Sequence, residues 1–257
     1  MPPSAASPSR AMDEPVIRFR GVRKRLGELQ VLDGLNLDVQ RGETLALLGP
    51  SGTGKSVSLR HAIGLMQADE GEVWVDGHDM SKIERRDLVA LRKRMGYLFQ
   101  DAALVNWLTA GDNVALPLRE NTNLSEREIQ ERVRERLALV HLEGAENKLP
   151  SELSGGMRKR VGLARALVTD PEIVLYDEPN AGLDPGTSMR INELIRELAD
   201  KLGITSIVVT HLASCVRTVA DRVVLLTGGR VVWEGDRESF DRREDEALRN
   251  FLGTDPD

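Results

Sequence analysis

The segment GPSGTGKS, residues 49–56, constrains the fold more than any other part of the chain. It follows the apolar run TLALL and precedes a helical pattern, which is the setting of a phosphate-binding P-loop. In such a loop, small residues let backbone N–H groups surround phosphates, and the following helix directs its positive dipole end at them. Lys55 would reach the β- and γ-phosphates, and Ser56 would ligate Mg²⁺. The alternative, a chance glycine-rich turn, does not account for the strand and helix on either side.

Composition bounds the remaining possibilities. A chain of 257 residues suits one α/β domain, alone or with a small subdomain. The net charge of -6 argues against bulk electrostatic binding to nucleic acid. The single cysteine, Cys215, excludes an internal disulfide and fits a reducing compartment. No uncharged apolar run is long enough to span a bilayer, so we expect a soluble protein whose membrane role, if any, depends on a partner.

The strand patterns predict a layered α/β core with an antiparallel edge. Residues 16–26 and 29–39 partly alternate apolar and polar side chains, which is typical of half-exposed antiparallel strands. Residues 44–49, 173–178 and 206–211 are nearly continuous apolar runs, which favour parallel strands buried on both faces. The segment DRVVLLTGGRVVWEGD, residues 221–236, predicts a hairpin that closes the sheet.

Two central helices are predicted to form an inserted subdomain, at about residues 101–170. Residues 125–140 open with a capping box in which Ser125 caps the helix and Glu128 follows three residues later. The second helix spans residues 154–168, and we expect the pair to lie between the third and fourth core strands. Downstream, Asp184 should cap a helix that has Pro185 in its first turn.

Polar residues at strand ends supply candidate chemistry. Asp177 ends a buried apolar strand, where a lone carboxylate is costly unless it is paired, and a Mg²⁺ shell shared with Ser56 provides that pairing. Glu178 is placed to orient or deprotonate an attacking water. His211 reads as a γ-phosphate sensor or an ordinary strand-end histidine. Gln100 reads as a contact to Mg²⁺ or the lytic water, or as a surface glutamine.

A second glycine turn, LSGGM at residues 153–157, opens a basic helix and so presents another anion-binding helix start. The P-loop already surrounds one nucleotide, which leaves this turn no phosphate in its own protomer. A head-to-tail dimer solves the problem, because a two-fold axis lets each LSGGM face the γ-phosphate on the other chain.

Together these motifs resemble the ATP-binding subunit of an ABC transporter, over residues 16–236. The order is that of the family: Walker A at 49–56, Q-loop at Gln100, signature at 153–157, Walker B at 173–177 with Glu178, D-loop at 181–184, and switch His211. The resemblance implies ATP and Mg²⁺ as cofactors, ATP hydrolysis, and an ABC ATPase fold with a P-loop core, an antiparallel β subdomain and the inserted helical subdomain. It implies these roles: catalysis by Glu178, His211 and Gln100; metal binding by Ser56, Gln100 and Asp177; and nucleotide binding by Gly49, Pro50, Ser51, Gly52, Thr53, Gly54, Lys55, Ser56, Val57, Ser154, Gly155 and Gly156.

A narrower resemblance is to ATPases of Mla/Mce-type systems, which move phospholipids or related lipids between bacterial membranes. It rests on Val57 after the Walker A serine, on the GGMRKR signature and on segments such as YLFQDAALVNWLTAGDNVALPLRE. It implies a second copy of the chain, a membrane permease of the MlaE type and an MCE-domain lipid-binding protein as partners, with no nucleic acid. The location would be the cytoplasmic face of the inner membrane. The flanks are expected to be a disordered tail, residues 1–15, and a C-terminal helical tail, residues 237–257.

The sequence departs from the family at three positions. Asn180 stands where threonine is common after the Walker B proline, and Leu212 replaces the acidic residue often found after the switch histidine. Leu26 stands where most relatives carry an aromatic residue that stacks on adenine, which predicts modest ATP affinity and weak discrimination of ATP over GTP. Arg23 or Arg25 could cover the ring instead.

Trp107 and the choice of function stay open at this stage. Trp107 is either a packed core aromatic or a contact to the coupling helix of a permease, in a transport motor that acts through residues 100–120. The alternative function is a soluble ABC ATPase that serves as a switch or scaffold. A DNA-repair or translation role fits poorly, because there is no second cassette, no long coiled-coil insertion and no net basic charge.

Overall fold

Two β-sheets form the framework of the chain, in a computed structural model that describes residues 14–253. In chain order the strands are β1 (Ile17–Leu26), β2 (Leu29–Val39), β3 (Thr44–Leu48), β4 (Glu70–Val75), β5 (His78–Asp79), β6 (Met95–Leu98), β7 (Ile173–Asp177), β8 (Thr205–Thr210), β9 (Arg222–Thr227) and β10 (Arg230–Asp236). The smaller sheet is antiparallel, in the order β2-β1-β4-β5. Only some side chains of β1 are buried, as the partial alternation in its sequence predicts.

The larger sheet carries the predicted parallel core. Its strand order is β10-β9-β3-β8-β7-β6, and all neighbours are parallel except the β9–β10 hairpin at one edge. Every residue of β3, β7 and β8 is buried, which confirms the prediction from their continuous apolar runs. Because β3, β7 and β8 are neighbours and parallel, their carboxyl ends meet at one edge of the sheet.

The helices are α1 (Lys55–Ala62), α2 (Arg85–Arg92), α3 (Ala110–Asn121), α4 (Glu126–Leu139), α5 (Gly155–Leu167), α6 (Pro185–Leu202), α7 (Ala213–Val219), α8 (Arg237–Arg242) and α9 (Glu246–Gly253). Both predicted caps are confirmed. Ser125 and Glu128 form a reciprocal capping box at the start of α4. Asp184 accepts a hydrogen bond from the Thr187 amide, 3.0 Å long, directly before Pro185 opens α6.

The inserted helices α3, α4 and α5 lie between β6 and β7. These are the second and third strands of the larger sheet in chain order, so the expected position between the third and fourth core strands is wrong. In the structure, β4 and β5 pair in the smaller sheet, so β6 directly follows β3 among the strands of the larger sheet. Val133 of α4 and Val161 of α5 belong to the same apolar cluster as Tyr176 of β7, so the insertion packs on the sheet through a shared core.

The C-terminal helices pack against the hairpin edge of the larger sheet. Phe240 of α8 and Leu248 of α9 are fully buried in a cluster with Leu225 of β9. Residues 254–257 of the predicted tail, and residues 1–13 of the predicted disordered segment, lie outside the described residues. The helices between residues 14 and 253 are all too short or too polar to cross a lipid bilayer.

Candidate active site

The P-loop joins β3 to α1 at the carboxyl edge of the larger sheet. Gly54 caps α1 with φ 98°, in the left-handed region, and a side-chain carbon there would lie 2.6 Å from the Val31 carbonyl oxygen. At Gly49 the same carbon would lie 2.2 Å from the Leu226 carbonyl oxygen. The loop therefore admits only glycine at both positions, and it presents the start of α1 to an anion.

Lys55 is buried at the first turn of α1. Its Nζ donates to the carbonyl oxygens of Gly49, at 2.7 Å, and Pro50, at 2.9 Å, and lies 3.6 Å from Glu178 Oε1. Burial lowers the pKa of the Lys55 ammonium, while the nearby Glu178 carboxylate opposes that change. The lysine is thus a desolvated cation held inside the loop, which is the property needed to attract phosphate oxygens.

Asp177 ends β7 with only 5% of its surface exposed, and both carboxylate oxygens are satisfied. Ser56 Oγ donates to Oδ1 at 2.5 Å, and Tyr97 OH donates to Oδ2 at 3.0 Å. Burial and the Asp177 charge both raise the pKa of Tyr97, which keeps its hydroxyl protonated as a donor. The predicted pair of Ser56 and Asp177 is therefore in direct contact.

The donor set fits Mg²⁺ only in combination with phosphates. Within residues 14–253 no group of three or more His, Cys, Asp or Glu side chains could hold a metal ion alone. A hydroxyl and a carboxylate in contact, beside a P-loop, match the way Mg²⁺ takes one or two protein ligands and completes its shell with phosphate oxygens and water.

Glu178 follows β7 in the left-handed conformation, with φ 48°. Its amide donates to the Val209 carbonyl at 3.0 Å, and His211 Nδ1 donates to its Oε2 at 2.8 Å. A non-glycine residue held at such a φ is uncommon and concentrates at functional sites. The Glu178 carboxylate thus lies between Lys55, in the helix that follows β3, and His211, directly after β8.

Gln100 lies two residues beyond β6 and is exposed, at the junction of two adjoining clefts. The first cleft, of about 420 Å³, is lined by the P-loop, Leu26, Glu178 and His211. The second, of about 760 Å³, is lined by Asp177, Gly155 and the D-loop. Ser56 and Gln100 line both. Gln100 therefore shares both clefts with Ser56 and the larger cleft with Asp177.

The LSGGM turn is built as a helix start but lies apart from the P-loop cleft. Ser154 is exposed, and its Oγ accepts a hydrogen bond from the Met157 amide at 3.2 Å. Gly155 lines the larger cleft, whereas Ser154 and Gly156 line neither of the two. In a single protomer the structure therefore brings Lys55, Ser56, Asp177, Glu178 and His211 together and leaves Ser154 outside that group.

The structure defines the surroundings of three residues whose roles the sequence did not predict or left open. Tyr97 binds Asp177, and its signal was a polar aromatic in an otherwise apolar strand. Lys159 is buried and donates to the Gln100 and Glu178 carbonyls. The sequence pattern that could have indicated its burial is its position three residues after Gly156, on the same face of α5. Trp107 is 82% exposed, which excludes a packed core aromatic.

Two of the family departures have structural explanations. The Asn180 side-chain amide donates to Asn192 Oδ1 at 2.9 Å and to the Ser188 carbonyl at 3.1 Å, so a buried polar pair joins the residue before the D-loop to α6. Leu212 packs against the apolar cluster of the inserted helices.

Comparisons with known proteins agree with this geometry. A family model described as ABC transporter matches residues 32–181, more than half of the chain. The chain is 43% identical over 236 residues to the probable ribonucleotide transport ATP-binding protein mkl of Mycobacterium leprae, covering 92% of this chain and 68% of that protein. It is 39% identical over 246 residues to the intermembrane phospholipid transport system ATP-binding protein MlaF of Haemophilus influenzae, covering 96% and 93%. A solved structure of the dimeric ATP-binding cassette MJ0796, in a post-hydrolysis state with ADP and Pi, matches with a TM-score of 0.79 and 34% identity, over 86% of this chain and 98% of that one.

Proposed function

This chain belongs to the ABC transporter family as an ATP-binding, ATP-hydrolysing subunit, and we propose that its hydrolysis of ATP drives phospholipid transport through a membrane permease. The observation that carries the hydrolytic part is the convergence of Lys55, the Ser56–Asp177 pair and Glu178 at one sheet edge. The phospholipid part is supported by the likeness to MlaF, which extends over 93% of that protein.

We assign the chemistry to side chains whose positions suit it. Lys55 and the P-loop amides would hold the β- and γ-phosphates. Ser56 and Asp177 would hold Mg²⁺, which when bound would supply positive charge to the phosphate oxygens. Glu178 orients the attacking water and accepts its proton. His211, through its 2.8 Å bond to Oε2, holds the Glu178 carboxylate beside the γ-phosphate position. Gln100, which lines both clefts, contacts the Mg²⁺ shell or the water.

The active unit in this proposal is a head-to-tail dimer. Ser154, Gly155 and Gly156 of one protomer face the γ-phosphate bound by the other, which accounts for a helix start that caps itself outside the P-loop cleft. ATP binding then closes the dimer, and hydrolysis opens it. Residues 16–236 form the ATPase domain, with about 101–170 as its helical subdomain and 237–257 as a tail.

The permease contact is assigned to the surface around Trp107. A tryptophan that is 82% exposed is an anchor of the kind that interfaces use, and Phe99, earlier in the same loop, is 38% exposed. The partner is an MlaE-type permease, accompanied by an MCE-domain lipid-binding protein, so that the ATPase lies on the cytoplasmic face of the inner membrane. Gln100 and Trp107 both lie in the segment between β6 and α3, so permease motion and nucleotide state would be coupled through that one segment.

The test is reconstitution of the solubilised complex in phospholipid vesicles. The expected result is co-purification of a multi-pass membrane protein and ATP-dependent phospholipid movement, both weakened by Trp107→Ala. Glu178→Gln should retain ATP binding and the partner but abolish movement. A second set of vesicles is loaded with ribonucleotide, the cargo in the name of the mycobacterial relative. ATP-dependent movement of ribonucleotide instead of phospholipid would contradict the proposed substrate. Recovery of soluble partners only would favour the switch or scaffold function and contradict the proposal.

A further inference from the structure

Lys159 is a buried cation whose hydrogen-bond partners are main-chain carbonyls. It lies in the second turn of α5 with 4% of its surface exposed. Its Nζ donates to the carbonyl oxygen of Gln100 and, at 3.2 Å, to that of Glu178. Burial lowers the pKa of the ammonium, and the charges of Asp101, Glu178 and Asp177 oppose that change. A buried ammonium is costly, and two neutral acceptors could be served by an uncharged donor, so its presence calls for a functional reason.

The two carbonyls belong to segments that must act together. One is the segment after β6 that carries Gln100, and the other is the residue assigned as general base. Glu178 holds a left-handed backbone, which persists only where the surroundings fix it. Its amide is fixed by Val209, and its carbonyl accepts from Lys159 and, at 3.1 Å, from the Ala181 amide. Lys159 is therefore the side chain that links this backbone to α5, the helix that LSGGM begins.

We infer that Lys159 is a positioning residue for hydrolysis. Its ammonium group fixes the main chains of Glu178 and Gln100 to α5 by hydrogen bonds. When the first turn of α5 moves, for instance on contact with a nucleotide held by another protomer, both segments move with it. The inference rests on the proposed role of Glu178. It predicts that loss of the ammonium slows turnover and leaves ATP affinity unchanged, because Lys159 lines the larger cleft and not the smaller one that Lys55 and the P-loop line.

The test compares Lys159→Met with Lys159→Arg in the full chain with Mg²⁺ and ATP. Methionine has similar length and no donor, so kcat should fall about tenfold or more, while the Kd for ATP changes less than about twofold. Lys159→Arg, which can donate to two carbonyls, should restore most of the rate. Lys159→Gln has a shorter side chain that can donate to one carbonyl, so its kcat should lie between those of Lys159→Met and Lys159→Arg. It replaces Lys159→Met in the comparison if the methionine variant does not fold.

Two matched controls separate positioning from general stability. Arg165 also ties α5 to the loop after β6, through the carbonyls of Ala102 and Ala103 at 2.6 and 2.8 Å, but does not reach Glu178. Lys93 donates to the Asn121 carbonyl at 3.1 Å on an exposed surface. If Arg165→Met or Lys93→Met lowers kcat as much as Lys159→Met, or if all three lower ATP affinity together, Lys159 is merely structural and the inference is wrong.

A double-mutant cycle with Glu178→Gln completes the experiment. If Lys159 acts through Glu178, adding Lys159→Met to Glu178→Gln should slow residual single-turnover hydrolysis less than about twofold. A further tenfold loss would show independent action and overturn the inference. If Glu178→Gln alone leaves turnover intact, the assigned role of Glu178 fails. If Glu178→Gln abolishes turnover and Lys159→Met does not slow it, only the inference about Lys159 fails.

Discussion

Leu26 sets the wall of the P-loop cleft at the tip of the β1–β2 hairpin. It is 44% exposed and lines the cleft with the aliphatic Leu29 and Val31, and within residues 14–253 no Phe, Tyr or Trp side chain lines that cleft. Arg23, one of the two candidates to cover an adenine ring, is paired with Glu70 at 2.9 Å and Asp33 at 3.4 Å. The Arg25 guanidinium donates to the Glu28 carbonyl at 3.3 Å, and Arg25 does not line this cleft. The wall that the β1–β2 hairpin offers to a base is therefore aliphatic.

Leu26→Tyr should tighten ATP binding several-fold without changing turnover at saturation. An aromatic platform under a base is worth about 1–3 kcal/mol in single-strand nucleic-acid binders, and leucine supplies burial without stacking. The measurement is the Kd for ATP and GTP in wild type and variant, with Arg23→Ala and Arg25→Ala alongside. Leu65→Tyr, at a leucine that is 57% exposed and does not line this cleft, is the matched control. Unchanged affinity in Leu26→Tyr would place the adenine elsewhere.

Among the secondary-structure elements, those with local signals could be predicted from sequence. The P-loop strand and helix, the capping box of α4 and the hairpin of β9 and β10 all depend on near neighbours in the chain, and the structure has them. The residue range of the inserted helices could be predicted, but the rank of the two strands that flank them in the larger sheet could not, because strand pairing depends on contacts between distant segments. The roles of Tyr97 and Lys159 were not predicted for a related reason, since they depend on buried hydrogen-bond partners from distant segments.

The contact of α5 with α6 depends on the absence of a side chain at Gly156. A methyl group there would lie 2.5 Å from Thr187 Cγ2, in the first turn of α6. Alanine usually stabilises a helix by about 1 kcal/mol relative to glycine, but overpacking of this kind costs about 1–3 kcal/mol. Gly156→Ala is therefore expected to lower the free energy of unfolding, as measured in urea.

Two further variants test that explanation. Gly155→Ala, whose methyl would lie 3.2 Å from the flexible end of Leu183, should be destabilised less than Gly156→Ala. Adding Thr187→Ser to Gly156→Ala removes the opposing Cγ2 and keeps the hydroxyl that Arg190 binds at 2.9 Å, so stability should recover. If the serine change gives no recovery, the loss has another cause and the packing argument is wrong.

At the scale of the whole molecule, the two anion-binding helix starts belong to different sites in one protomer. The Ser56–Asp177 pair and Glu178 lie at the sheet edge, and Ser154 caps its own helix on the exposed surface. The head-to-tail dimer proposed above combines two chains at each site, one that supplies the P-loop and one that supplies LSGGM. This arrangement makes a prediction that an active site within one chain does not make.

Mixing Ser154→Arg protomers with Lys55→Ala protomers should restore hydrolysis that each variant lacks alone. In the mixed dimer, the intact P-loop of the Ser154→Arg chain meets the intact LSGGM of the Lys55→Ala chain, and the other site collects both defects. Random pairing of equal amounts gives about half mixed dimers, each with one intact site.

ATP hydrolysis and retention of bound ATP after desalting are both measured, so that a site that binds ATP without hydrolysing it is still detected. The matched control mixes Ser154→Arg with the double variant Ser154→Arg/Lys55→Ala, a pair that cannot assemble an intact site. If that control recovers equally, or if Ser154→Arg abolishes ATP binding to the monomer, LSGGM acts within its own chain and the head-to-tail dimer is wrong.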